Sequence, residues 1–307
     1  MREDHQNIFG GTFVMNADSV KDRLKNYAVK NGCTFQEALT YYGLERTIYR
    51  ISMSKYADHF VLKGGIFLYA VFDRNYERAT TDVDLLARRI SNSRDEMKSI
   101  FRDILSQNYD DAVLFDADSI TVENITEFKE YHGLHISAVC YLDRTRIPIS
   151  IDIGFGDVIY PDTVKMDFPV ILDMDPPRIN VYSLESSIAE KVEAIIHNGY
   201  LNSRYKDFYD IYVLSQKYEF SYETLRRAVK ETFENRKTQM TMDSAVFSDE
   251  FLNDQLHKAR WSSFLKKKKV LILASMSDVL DRIKAFVYPL FEETAKIKWN
   301  PKKGVWE

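Results

Sequence analysis

Two cysteines in 307 residues, Cys33 and Cys140, are too few and too far apart to compose a zinc pattern, and each reads as a reduced buried thiol. No run of eighteen apolar residues is present, which excludes an ordinary membrane-spanning helix. The polar start Met1-Arg2-Glu3-Asp4-His5 has no hydrophobic centre of a signal peptide, so the expected location is the cytoplasm. Internal repeats and low-complexity tracts are also missing. A basic excess is lacking too: the net charge of −4 excludes an all-over basic nucleic-acid binder. It leaves room for local strips. Arg226-Arg227, Lys258 with Arg260, and Lys266 to Lys269 are candidates, with Trp261 between two of them either a stacking surface or a core residue. What the chain does have is aromatic mass, 19 Tyr and 19 Phe, enough to pack one large domain or two.

The most informative segment is Lys63-Gly64-Gly65 followed by Asp82-Val83-Asp84. Residues 82–86 read as a short strand, so Asp82 and Asp84 project to one side while Val83 and Leu85 enter the core. Two carboxylates on one side can share a hard divalent cation, and such ions suit phosphoryl displacement. The glycine pair lets backbone N–H groups approach a triphosphate, and residues 66–72 read as a helix whose N-terminus favours anions.

A third carboxylate joins them. Residues 147–155 alternate strictly, with Ile147, Ile149, Ile151, Ile153 and Phe155 on one face and Pro148, Ser150, Asp152 and Gly154 on the other. Five inward apolar positions make this a central strand, and Asp152 stands on its non-core face. It either meets water or completes a three-carboxylate site and accepts the proton of an attacking hydroxyl.

Further along, Ser183 caps a helix in which Leu184, Ile188, Val192, Ile195 and Ile196 recur at helical spacing. Lys191 falls about 20° from Leu184 at ~100° per residue, on the margin of the buried arc. It snorkels to water or reaches an anion, of which phosphate is the plausible one. On the next helix Lys206, Asp207 and Asp210 share a charged face opposite Tyr205, Phe208 and Tyr212. His132 and His135 face opposite sides of a strand and are weak ligand candidates.

Periodicity gives an α+β organisation. Residues 17–58 read as two helices, the second opened by the capping box Thr34-Phe35-Gln36-Glu37. A helix near 93–107 and strands near 111–115, 119–125, 133–142 and 147–155 follow. Residues 161–177 form a proline-bearing linker, and helices near 184–198, 204–216, 221–237, 248–265 and 276–294 complete the chain. The expected division is a nucleotidyltransferase-type domain over 1–175, with an N-terminal helical layer, and a helical part over 176–307.

Three blocks resemble the AbiEii/AbiGii family of toxin nucleotidyltransferases, members of the polymerase-beta-like superfamily related to the MenT toxins. They are residues 61–65 with Arg78-Ala79-Thr80-Thr81-Asp82-Val83-Asp84; the Asp152 strand ending in Gly154-Phe155-Gly156-Asp157; and Glu190-Lys191 through Arg204-Tyr205-Lys206-Asp207-Phe208-Tyr209-Asp210. The resemblance implies a polymerase-beta-like nucleotidyltransferase core with a mixed sheet, N-terminal helices and a mainly helical C-terminal part. It also implies NTP as substrate, Mg2+ (or Mn2+) as cofactor, transfer to the 3′ end of tRNA that stops translation, and a cognate antitoxin encoded nearby. On that reading Asp82, Asp84 and Asp152 bind metal, and Lys191 and Asp210 join them in catalysis. Lys63, Gly64, Gly65, Lys191, Arg204, Lys206 and Asp207 hold nucleotide, with Arg78 and Thr80 at the entrance. Two rivals stay open: the same chemistry on a protein or small-molecule hydroxyl, and an NTP-binding module without transfer, favoured if Asp152 lies far from Asp82 and Asp84.

Overall fold

A computed structural model describes residues 15–74, 76, 80–125, 133–241, 243–267, 274–294 and 296–307. Arg78, His132, Lys268 and Lys269 lie outside the described residues, as does the side chain of Lys267. The chain opens with α1 (Ala17–Asn31) and α2 (Phe35–Met53). The expected capping box is formed: Thr34 Oγ1 accepts from the Glu37 N–H, and the Glu37 carboxylate accepts from the Thr34 N–H at 2.7 Å.

A seven-stranded mixed sheet follows. Its members are β1 (Phe60–Lys63), β2 (Val83–Ala87), β3 (Val113–Ile125), β4 (Gly133–Leu142), β5 (Thr145–Phe155), β6 (Val164–Asp167) and β7 (Arg178–Val181), in the order β3-β4-β5-β2-β1-β7-β6. Helix α3 (Gly64–Val71) leaves β1 directly, and α4 (Arg94–Leu105) lies between β2 and β3 in sequence. The α4 residues Met97, Ile100, Phe101, Ile104 and Leu105 are all buried, as the helical spacing predicts. In β5, Ile147, Ile149, Ile151 and Ile153 are buried, each contributing roughly 1.5–3 kcal/mol. Helix α2 crosses this apolar face at Gly43, where a Cβ would come 2.8 Å from Ile147 Cγ2 and 2.9 Å from Ile149 Cδ1. A larger residue at Gly43 would force those isoleucine methyls, or the helix itself, to shift. The opposite face is thereby left for polar residues.

The C-terminal part comprises α5 (Leu184–Asn198), α6 (Tyr205–Lys217), α7 (Tyr222–Asn235), α8 (Asp249–Asn253), α9 (Gln255–Lys267) and α10 (Met276–Val287). Helix α5 packs on α6 and α7, and α10 packs on α6.

Four sequence expectations change. Residues 161–177 are not a plain linker, since β6 falls within them and pairs with β7 in the main sheet, so the sheet extends past residue 175. The two expected strands between 111 and 125 are one strand whose pairing with β4 shifts register between Asp116 and Thr121. The helix expected over 248–265 breaks at Asp254, which adopts an extended backbone and accepts from the Leu256 N–H through Oδ1 at 2.6 Å. A small sheet of β8 (Phe220–Ser221), β9 (Lys298–Asn300) and β10 (Val305–Trp306) was not anticipated. Its strands are only two or three residues long, and Trp299 and Trp306 lock them to the helices by donating to Ser215 O at 2.6 Å and Phe286 O at 2.8 Å.

Candidate active site

Strand register assembles the site. Antiparallel pairing sets His135 of β4 opposite Asp152 of β5, parallel pairing sets Asp152 beside Asp84 of β2, and antiparallel pairing sets Asp84 opposite Lys63 of β1. Directly paired residues share a face, so a polar row crosses four strands. Asp82, just before β2, joins it. One oxygen from each of Asp82, Asp84 and Asp152 lies within 4.8 Å of the others. Asp152 is therefore not remote from the Asp-x-Asp pair.

Three half-buried carboxylates this close repel one another. Burial, joined by the Asp82 charge, pushes the Asp84 carboxyl up to about 6 against the opposing pull of Lys206 and Lys63. An all-oxygen donor set with surplus negative charge fits a hard divalent cation such as Mg2+ or Mn2+.

Each carboxylate is fastened on one oxygen. Asp82 Oδ1 accepts from the Thr81 N–H at 3.3 Å and from its hydroxyl at 3.2 Å. Asp84 Oδ2 accepts from the Gly65 N–H at 3.2 Å. Asp152 Oδ1 lies 2.6 Å from His135 Nδ1. Thr80 is buried and its hydroxyl donates to the Asp82 carbonyl oxygen at 3.4 Å. The glycine turn thus serves the second carboxylate: the Gly65 N–H meets Asp84, and Gly64 takes φ +65° at the start of α3.

The expected phosphate-binding lysines separate into three situations. Lys63 Nζ is 2.8 Å from Asp157 Oδ2, 3.0 Å from the Glu190 carboxylate and 3.4 Å from the Tyr182 hydroxyl. Arg236 closes this network, 2.9 Å from Asp157 Oδ1 and 2.9 Å from Glu193 Oε2. Burial alone would raise the Asp157 carboxyl, yet Lys63 and Arg236 outweigh it and hold Asp157 well below the ordinary range. Lys191, on α5, reaches across to α6, where its ammonium lies 2.7 Å from Asp210 Oδ2 and 3.3 Å from Asp207 Oδ1. Arg204 Nε donates to Asp207 Oδ2 at 2.6 Å, and the Tyr76 hydroxyl donates to Asp210. Asp207 and Asp210 are consequently buried rather than displayed on a solvated charged face. Lys206, exposed on α6, makes no ion pair among the described residues and acts on Asp84 through its field.

Trp261 is core, donating Nε1–H to Ala274 O at 3.2 Å and packing on Phe264. Arg227 pairs with Glu231 at 2.7 Å, while Lys258, Arg260 and Lys266 are exposed. Neither cysteine forms a disulfide, and Cys140 is buried and Cys33 partly so.

Sequence reading missed His135, Asp157, Tyr182 and Arg236 as neighbours of these groups. A signal for His135 existed, because the two-residue turn Asp143-Arg144 fixes the β4–β5 register and so places His135 opposite Asp152. Arg236 lies in the segment that ends α7, and nothing local marks it.

Residues 46–285 match the family described as nucleotidyl transferase AbiEii toxin, type IV TA system. The chain belongs to this family. The AbiEii assignment covers all three blocks from which the resemblance was read and the whole acidic triad. Among solved structures the chain is similar to MenT4, a nucleotidyltransferase toxin from Mycobacterium tuberculosis, at 14% identity and a TM-score of 0.52, over 88% of this chain and 97% of that one. That likeness is one of fold, and it agrees with the α+β nucleotidyltransferase architecture expected from the sequence. A lower similarity, with a TM-score of 0.38 and 12% identity, is found with JHP933 from Helicobacter pylori over 74% of this chain and 91% of that one. No curated protein sequence matches. Among the described residues no helix is long and apolar enough to cross a membrane.

Proposed function

We propose that this AbiEii-family chain is a cytoplasmic, Mg2+-dependent enzyme that transfers a nucleoside monophosphate from an NTP to the 3′-terminal hydroxyl of tRNA, blocking translation until its antitoxin restrains it. The observation that carries the chemistry is the approach of Asp82, Asp84 and Asp152 within 4.8 Å on one sheet face. These three carboxylates would hold the divalent cation, with Mn2+ an acceptable substitute. When bound, that cation supplies positive charge to the phosphate oxygens. Asp152 accepts the proton of the attacking hydroxyl, for which its place on the open side of β5 suits it. Lys206 is the cation best placed to meet a phosphate, being exposed and close enough to influence Asp84. Lys191 and Arg204, each tied to α6 carboxylates, shape the neighbouring wall with Asp207 and Asp210. Lys63 supports the sheet end of the site through Asp157 and Glu190.

The test is direct. Pure protein is incubated with Mg2+ and each labelled NTP in turn, with total tRNA or with protein alone. Label is expected in tRNA, to be lost with Asp82→Ala or Asp84→Ala in folded protein. Label in a protein instead would replace the acceptor, and full transfer by either alanine variant would remove the triad from the chemistry.

A further inference from the structure

We infer that His135 is the positioning residue for the third carboxylate, holding Asp152 in the orientation that completes the metal triad. The inference rests on the metal reading of Asp82, Asp84 and Asp152. Each of these carboxylates has one oxygen anchored by the protein, and the anchors differ in kind. Asp82 is held by its own neighbour Thr81, and Asp84 by a backbone N–H, that of Gly65 at the start of α3. Asp152 has only a side chain from a different strand. Among the described residues His135 is its one hydrogen-bond partner, with Nδ1 2.6 Å from Oδ1.

The imidazole is itself oriented. Its Nε2 lies 3.1 Å from Ser137 Oγ, two residues along the same face of β4. One neutral tautomer satisfies both contacts: the Nδ1–H donates to Asp152, and the Ser137 hydroxyl donates to Nε2. The chain Ser137, His135, Asp152 therefore runs inward to the triad and leaves the other Asp152 oxygen free for a ligand. The His135 and Asp152 side chains are 36% and 39% exposed, so the contact contributes little to stability. An exposed carboxylate without an anchor rotates freely, however, and that freedom must be lost when the site is filled. Outer hydrogen bonds of this sort change metal affinity or activity about 10–100-fold.

The experiment compares the parent, H135L, H135N and D84N, titrating each with Mn2+ and following the free ion by electron paramagnetic resonance, with melting temperature and single-turnover transfer alongside. In H135L the Mn2+ affinity is expected to fall by about 10–100-fold, with turnover reduced and melting temperature unchanged. H135N places an amide N–H where Nδ1 stood and is expected to recover most of the binding. Parental Mn2+ affinity in H135L, or binding in H135N as weak as in H135L, overturns the inference. D84N separates the two levels. Binding lost in D84N but unchanged in H135L sinks only the role of His135, whereas binding unchanged in D84N removes the metal reading and this inference together.

Discussion

Gly64 stands against Asp84 so closely that a Cβ on Gly64 would lie 1.9 Å from Asp84 Oδ2. Its φ of +65° also belongs to the region that side chains avoid. The glycine of the turn and the second aspartate of the Asp-x-Asp pair are thus a single packed unit, although nineteen residues of chain lie between them.

Gly64→Ala should therefore damage the site more than the fold. The left-handed backbone costs about 1–2 kcal/mol, measurable by denaturant unfolding. The clash displaces Asp84, so divalent-ion binding should drop far more than stability does. A folded Gly64→Ala protein with parental Mn2+ affinity would show that Asp84 tolerates displacement.

Asp157→Asn should destabilise the protein by about 1–3 kcal/mol at neutral pH, because Lys63 and Arg236 lose one charged hydrogen-bond partner in a buried place while Glu190 and Glu193 remain beside them. The pH dependence has a definite sign. Asp157 is held below its ordinary value of 3.8, so its stabilisation is complete above that pH and is lost as pH falls toward the lower folded value. Parent stability should decline with acid below about pH 4, and the Asn variant should show a shallower decline there. Equal slopes in parallel pH-dependent urea titrations would contradict the assignment.

Lys206→Met and Lys63→Met should behave differently. Lys206 is exposed and without an ion pair among the described residues, so its loss should leave melting unchanged while lowering kcat/KM for NTP roughly tenfold to a hundredfold. Lys63 is encased by Asp157, Glu190 and Tyr182, so its loss should lower melting temperature sharply. Identical nucleotide kinetics in Lys206→Met would return that lysine to the solvated surface.

Lys191→Met removes the cation that Asp207 and Asp210 share, leaving two carboxylates, each 2% exposed or less, without it. Destabilisation of about 3–5 kcal/mol is expected, together with loss of transfer. Asp210→Asn in the Lys191→Met background should recover part of the melting temperature and none of the activity. Recovery of activity would mean that the pair is structural alone.

Local periodicity was enough to place much of this protein. Alternation in residues 147–155 determined which face of β5 carries Asp152, because the side-chain period of a strand is two whatever lies beside it. The same rule put Asp82 and Asp84 on one side, and the Thr34 to Glu37 capping box marked the start of α2. The family blocks were legible for a similar reason, since their spacing is contained in the sequence. Partners were not. Whether Lys63 and Lys191 point at phosphate or at carboxylate depends on what other elements bring to them. Asp157 and Arg236 arrive at Lys63 from segments 94 and 173 residues away, and Asp210 reaches Lys191 only because α6 folds back on α5. The sequence determined the faces, through backbone geometry that is local. The tertiary structure decided which charges meet across them, because burial and Coulomb attraction act through space between elements that no local spacing relates.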